Sequence, residues 1–164
     1  MDTIFQRASV RDYLDKPVEE EKVLRILRAA MAAPSACNQQ EWRFYVVTNK
    51  EKIKELAHVS QFSTFAEKAP VIIVTVFRKD CQLPEFAPQD LGAAMENMYL
   101  EAESLGLGAV WMGVLPRKER MAAVAAIVGA GEQETVFSMF ALGYPAKPLK
   151  QHHRFHEEWI RYIR

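Results

Sequence analysis

Cysteine is scarce in this chain, and long apolar runs are absent. Two cysteines, Cys37 and Cys81, occur among 164 residues without a CxxC spacing, so neither a disulfide-stabilised scaffold nor a secreted protein is predicted. The longest strongly apolar stretch, Val71 to Phe77, is too short to cross a bilayer. The N-terminus also lacks the apolar run of a signal peptide. We therefore expect a cytoplasmic protein with no membrane partner.

An excess of charge of either sign is also absent. The 21 basic and 21 acidic side chains cancel when histidine is neutral, so there is no electrostatic reason to expect a nucleic acid as partner. Apolar residues make up 49% and charged residues 26%, which is typical of globular proteins. The length and the absence of repeats or linkers predict one domain over residues 1–164.

Helical and strand patterns alternate along the chain. Apolar residues recur at helical spacing in four segments, at about 18–33, 50–58, 89–105 and 117–128. Four segments rich in β-branched and aromatic residues predict strands, at about 44–48, 71–77, 109–112 and 136–142. The segment 71–77 gives the strongest strand signal. Its apolar residues do not alternate with polar ones, so both faces of this strand should be covered. The interleaved order predicts an α+β or α/β fold, with helices on the faces of a sheet.

The first candidate site is the N-terminal segment Arg7-Ala8-Ser9-Val10-Arg11. Side chains alternate in an extended backbone, so residues 7, 9 and 11 should point to one side. Arginine pairs with phosphate oxygens bidentately and serine adds a further donor, so the three residues suit a phosphate group. An ordinary solvated segment is the alternative, because an RxSxR spacing arises readily by chance.

The second candidate site is the stretch from Pro34 to Trp42, between a predicted helix and a predicted strand. Its side-chain amides, Asn38 and Gln40, offer both donors and acceptors, which suit the mixed edge of a pyrimidine or flavin ring. The alternative is a helix-to-strand turn in which the serine and asparagine side chains bond to the local backbone.

The third candidate site is the stretch from Trp111 to Pro116 at the end of a predicted strand. Gly113 would let a planar ligand approach the backbone closely, and Trp111 beside it would offer a stacking wall. The alternative is a core tryptophan followed by a strand-to-helix turn.

Taken in order, these segments resemble the FMN-dependent nitroreductase family in its short, single-domain form. The resemblance covers about residues 3 to 158, nearly the whole chain. The matching motifs are RxSxR at 7–11, PSxxNxQxW at 34–42, APVIIV at 69–74, AAMENMYLEAESLGLG at 93–108, WMGV at 111–114 and LGYP at 142–145. Each motif is weak singly, whereas their shared order and spacing are specific.

The resemblance implies a nitroreductase-like α+β fold, a central, mostly antiparallel sheet flanked by helices, in an intertwined homodimer with FMN at the subunit interface. The residues implied at the phosphate and ribityl end of FMN are Arg7, Ala8, Ser9, Arg11 and Arg154. Those implied around the ring are Pro34, Ser35, Ala36, Asn38, Gln40, Trp111, Met112, Gly113 and Val114. Residues 34–38 would come from the second subunit.

The implied reaction is a hydride transfer in two half-reactions. NADH or NADPH would reduce the flavin and leave, and a nitroaromatic, quinone or related small-molecule acceptor would then enter the same site. This ping-pong scheme needs no catalytic side chain, because the cofactor carries the chemistry. Other interpretations stay open: reductive dehalogenation or oxygen-dependent chemistry on the same fold, a flavin carrier or sensor without turnover, and an interaction module that binds no flavin.

The sequence departs from the family pattern at three places, one of which is Met95-Glu96-Asn97 in the long helix, where the family has AxQN and which is expected to lie away from the flavin. Glu41 stands where the family often has proline, so its carboxylate would alter the local turn or the charge of the site. His152 stands where the family usually has lysine or arginine, which would weaken the hold on the phosphate unless Lys150 substitutes.

Three further features have a plain structural alternative. The histidines at 152, 153 and 156 have a spacing that zinc could use, although a solvated tail is favoured. Cys37 is interpreted as a small buried filler rather than as a flavin contact. Residues Gln61 to Phe65 either line the mouth of the pocket or supply ordinary core aromatics.

Overall fold

The central element of the fold is an antiparallel sheet between helices. The computed structural model describes residues 3–148 and 154–164. Within these ranges four strands form one sheet in the order β1-β2-β4-β3. They are β1 (Trp42–Val47), β2 (Val71–Arg78), β3 (Gly108–Gly113) and β4 (Glu134–Gly143). Every strand pairing is antiparallel, which confirms the predicted sheet and leaves β1 and β3 at its edges.

The helices of the described ranges follow the predicted periodicity closely. They are α1 (Thr3–Gln6), α2 (Glu20–Met31), α3 (Lys50–Ala57), α4 (Ala87–Ser104) and α5 (Lys118–Val128). The four predicted helices and four predicted strands each lie within about two residues of their expected ends. The short helix α1 was not predicted, because four residues carry no helical repeat. None of the helices described is both long and apolar enough to span a membrane.

Apolar side chains cover both faces of the sheet. On one face, α2 and α4 pack through Ile26, Leu91 and Met98. On the other, α3 and α5 pack through Leu56 and Val124. The first seven residues of β2 are all buried, and the six apolar ones alternate between the two clusters, which confirms that both faces of this strand are covered. Each fully buried aliphatic side chain contributes about 1.5–3 kcal/mol to folding.

The segment between α1 and α2 lies along the open edge of β3. Ser9 forms a parallel bridge with Ala109, and the Val10 backbone N–H donates to the Ala109 carbonyl oxygen at 2.8 Å. Ala8 and Val10 are buried beneath it. The alternating residues that keep contact with solvent are Arg7, Ser9 and Arg11. The predicted alternation is therefore confirmed, and the fold sets these three residues beside β3.

Candidate functional site

A cavity of about 190 Å³ lies at the edge strand β3. Trp111, Met112 and Gly113 form one wall, and Arg11 lies at the same cavity. The space above Gly113 is open, because a Cβ built there would meet no other atom within 4 Å. Such an open backbone lets a planar ring approach closely. The fold therefore brings two of the three predicted segments together at one site.

The facing wall comes from residues 60–65, the segment with two open interpretations. Both Phe62 and Phe65 line the cavity, together with Ser60 and Ser63. The side chain of Phe62 is 76% exposed, whereas Phe65 is half-buried and packs against the core beneath α3. The Arg11 guanidinium lies 5.7 Å from the ring centre of Phe65. Phe62 is therefore a residue of the pocket mouth, and Phe65 belongs to both the pocket and the core.

Arg120, on α5, joins the two walls. Its guanidinium donates to the Gly113 carbonyl oxygen at 2.9 Å and to the Ser60 hydroxyl oxygen at 3.1 Å. A planar guanidinium held by two bonds is fixed in orientation. No local sequence pattern predicts this role for Arg120, because only the folded chain brings it to Ser60, which is 60 positions away.

Tyr99, on α4, connects the N-terminal segment with β3. Its hydroxyl oxygen accepts the Trp111 backbone N–H at 2.7 Å and lies 3.4 Å from the Ser9 hydroxyl. The Arg7 guanidinium lies 4.8 Å from the centre of the same ring. Tyr99 is thus a positioning residue for both segments. The sequence does not predict this role, because Tyr99 lies in a helix whose apolar pattern indicates only packing.

Two acidic residues of α4 set the charge around Arg7. The Arg7 Nε lies 3.7 Å from a Glu96 carboxylate whose side chain is 51% exposed. Burial raises the pKa of Glu103, and the nearby charge of Arg7 opposes that shift. A long, half-exposed ion pair contributes only about 0–1 kcal/mol. Arg7 can therefore exchange Glu96 for a doubly charged anion at little cost.

Residues 34–40 form a separate, tightly folded loop. Cys37, Asn38 and Gln40 have φ angles of 50°, 52° and 46°, a left-handed conformation that costs about 1–2 kcal/mol for a residue with a Cβ. The Gln40 side-chain amide donates to the Asn38 side-chain oxygen at 2.8 Å, and the Gln40 backbone N–H donates to the Ser35 hydroxyl at 3.1 Å. Within the part of the chain described, this loop does not line the cavity at β3.

The structure contradicts the expectation for Cys37 and shows the surroundings of two other predicted residues, Val114 and Arg154. Cys37 is exposed, so its interpretation as a buried filler was wrong, because the left-handed turn directs it outward. Val114 is fully buried, and its backbone N–H donates to the Phe137 carbonyl oxygen at 3.2 Å, which leaves it only a supporting place behind Gly113. Arg154 is exposed.

Of the three C-terminal histidines, only His156 lies within the described ranges. Residues His152 and His153 lie outside the described ranges, as does Lys150. His156 bonds to the Glu158 carboxylate at 3.0 Å and stacks on Trp159 with ring centres 4.2 Å apart. Residues 3–148 and 154–164 contain no group of three metal-binding side chains.

Substitution of Tyr99 by phenylalanine is expected to cost about 1–3 kcal/mol of the free energy of unfolding, because the Trp111 N–H would be left without its acceptor. Chemical denaturation measures this difference. The matched control is Tyr144→Phe, whose hydroxyl bonds to the charged side chains of Glu19 and Lys22 at the surface. Water replaces those partners, so its loss should be below about 1 kcal/mol. Equal losses would contradict the positioning role of Tyr99.

The cavity at the edge of this antiparallel sheet contains two guanidinium groups, Arg11 and Arg120, which suit an anionic ligand. The Nitroreductase family model matches residues 4–63 and 58–144. The chain therefore belongs to the nitroreductase family, as the sequence motifs predicted.

Individual relatives agree with this assignment. A protein of Archaeoglobus fulgidus, provisionally named NADH dehydrogenase/NAD(P)H nitroreductase, is 40% identical over 149 residues, covering 87% of this chain and 83% of the relative. A protein of Clostridium acetobutylicum, provisionally named NADH oxidase, superposes with a TM-score of 0.96 at 38% identity and 99% coverage of both chains. A provisionally named nitroreductase of Desulfovibrio desulfuricans, solved in complex with FMN, gives a TM-score of 0.85 at 31% identity, covering 99% of this chain and 95% of that one.

Proposed function

We propose that this chain is an FMN-dependent oxidoreductase that passes two electrons from NADH or NADPH to a small acceptor. The observation that carries the proposal is the cavity at β3, where Arg11 lies beside the open backbone of Gly113. Two relatives support it: one carries NAD(P)H nitroreductase in its name, and one was solved with FMN.

The residues at the cavity fit the chemistry of FMN. Arg7, Ser9 and Arg11 would hold the phosphate and the ribityl chain with charged and hydroxyl donors, with Ala8 contributing its backbone. Trp111, Met112 and Gly113 would lie along one face or edge of the ring, with Val114 buried behind them. The exposed Arg154 would add a further guanidinium at the phosphate.

A second subunit would complete the site. Residues assigned to it are Pro34, Ser35, Ala36, Asn38 and Gln40, which in one chain do not line the cavity described at β3. The tail of the chain presents large apolar side chains to solvent: Phe155, Trp159, Tyr162 and Ile163 are 74% to 99% exposed. Contiguous exposed apolar residues mark protein interfaces. We assign them to a homodimer in which each flavin contacts both chains.

FMN, when bound, would supply reversible two-electron chemistry: it would accept a hydride from NADH or NADPH and pass two electrons to a nitroaromatic or quinone acceptor. The protein's own part is to hold and orient. Arg120 fixes the Gly113 carbonyl, and Phe62 narrows the mouth through which both reactants pass. If both reactants occupy the same space beside the ring, one would have to leave before the next enters, which is a ping-pong order.

Purified protein is expected to show a flavin absorption spectrum and to release FMN on denaturation. NADH or NADPH should be oxidised steadily when a quinone or nitroarene is added, with parallel double-reciprocal plots as the acceptor concentration changes. A flavin spectrum without turnover would instead favour a carrier or sensor. A colourless protein that also fails to bind added FMN would exclude the proposed function.

A further inference from the structure

Glu41 is a buried carboxyl group that the proposed function does not use. Its side chain is 0% exposed. Neither carboxyl oxygen forms a hydrogen bond of good geometry among residues 3–148 and 154–164. An ionised carboxylate in such a place is very unfavourable unless it is paired, so Glu41 requires a proton of its own.

A second carboxyl group lies beside it. Asp90, near the start of α4, lies close enough to Glu41 to share a hydrogen bond with it. Burial raises the pKa of Glu41 most and the Asp90 carboxylate raises it further, while a backbone hydrogen bond and the Gln39 side chain oppose the shift. Two adjacent carboxyl groups cannot both ionise at little cost, so one proton is retained between them. Cys81 lies three residues beyond β2. Burial raises the pKa of its thiol, an ionised Glu41 would raise it further, Arg78 lowers it and Asp80 raises it.

Asp90 anchors the loop of residues 34–40. One of its carboxylate oxygens accepts the Ala36 backbone N–H at 2.9 Å and the Gln39 side-chain amide at 3.2 Å. Gln39 in turn accepts the Leu83 backbone N–H at 2.9 Å. This loop contains three left-handed residues with side chains, so its conformation depends on such anchors.

We propose that Glu41 is a positioning residue whose protonated carboxyl donates to the Asp90 carboxylate and thereby holds residues 34–40 in their flavin-contacting conformation. This inference rests on the proposed function, in which that loop contacts FMN in the second subunit. It also explains how the chain tolerates glutamate where the family often has proline. A neutral, donating carboxyl satisfies Asp90 and leaves no unpaired charge in the core.

Raising the pH should remove this proton and place two negative charges side by side. Above the ordinary pKa range for glutamate, the unfolded chain has released this proton, whereas the native chain still keeps it. The unfolding equilibrium constant should therefore rise about tenfold per pH unit from that range up to the raised pKa, and stay level above it. FMN affinity should fall only above the raised pKa, because the loop is then released.

The test compares the wild type with Glu41→Gln, whose amide donates to Asp90 at every pH. FMN dissociation constants are measured by flavin fluorescence between pH ~6 and ~9. We expect the wild-type constant to rise about tenfold per pH unit once Glu41 ionises, while that of Glu41→Gln stays flat. Glu85→Gln, at an exposed position, is the matched control and should keep the wild-type profile.

A second measurement needs no cofactor. An infrared titration of the apoprotein should show one carboxyl carbonyl band that persists above the ordinary range for glutamate, and Glu41→Gln should lack it. Tight FMN binding with identical pH profiles for wild type and Glu41→Gln, or absence of the band, would overturn the inference and leave the proposed function intact. Failure of both proteins to bind FMN at any pH would overturn the proposed function, and this inference with it.

Discussion

Replacement of Arg7 by alanine is expected to weaken FMN binding about 10- to 100-fold, the loss that follows from removing one or two charge-assisted hydrogen bonds. Arg7 closes α1, with its backbone N–H donating to the Thr3 carbonyl oxygen at 2.9 Å, and it lies two residues before Ser9, which bridges to β3. Its guanidinium is ordered over the Tyr99 ring, so little conformational entropy is lost when it binds a phosphate. Equilibrium titration of the apoprotein with FMN gives the affinity.

Riboflavin separates the phosphate contact from any general damage to the site. It lacks the phosphate, so Arg7→Ala should change riboflavin affinity by less than about threefold while FMN affinity falls. Arg7→Lys should lie between, since lysine keeps the charge and loses the bidentate fork. Arg28→Ala, at an exposed position on α2, is the matched control and should bind both flavins normally. An equal loss for FMN and riboflavin would contradict the phosphate assignment.

Replacement of Gly108 by alanine is expected to cost about 3 kcal/mol of the free energy of unfolding and to weaken FMN binding as well. A Cβ at this position would lie 2.5 Å from Val10 Cγ2 and 2.8 Å from Val10 Cβ. Valine is stiff about χ1, and Val10 is hydrogen-bonded to β3 through its backbone. The added methyl group must therefore displace the segment that carries Arg7, Ser9 and Arg11.

Two variants make this test specific. Val10→Ala combined with Gly108→Ala removes both Cγ contacts, so the double variant should recover part of the lost stability, and the coupling appears as a non-additive double-mutant cycle. Gly92→Ala introduces a methyl group at ordinary contact, 3.8 Å from Trp111, inside helix α4. It should stabilise the protein by about 0.5–1 kcal/mol. Strict additivity of the first pair would show that Val10 is not the obstacle.

Much of the fold follows from local patterns in the chain. The unbroken apolar run of β2 predicts a strand buried on both faces, and Val71 to Arg78 is such a strand. The alternation of residues 7–11 is equally local, because Ala8 and Val10 are apolar between polar neighbours. Helix and strand periodicities are set within a few residues, so sequence spacing is enough to predict them.

The parts that escaped prediction depend on contacts between distant residues. The Tyr99 hydroxyl accepts a hydrogen bond from the Trp111 backbone N–H of β3, and the Arg120 guanidinium donates one to the Ser60 hydroxyl. Glu41 is brought close to Asp90 on α4, which lies 49 positions further along the chain. A helical or strand repeat carries no information about such pairs, because the tertiary fold alone brings them together.

The N-terminal segment also protects the sheet against other chains. β3 is an edge strand, and an exposed edge offers unpaired N–H and C=O groups that recruit further strands into aggregates. The single bridge from Ser9 to Ala109 and the bond from Val10 cover part of that edge. The segment proposed to bind a phosphate thus also shields part of an edge strand that could otherwise promote aggregation. A substitution in this short stretch should therefore change both the affinity for the cofactor and the tendency to aggregate.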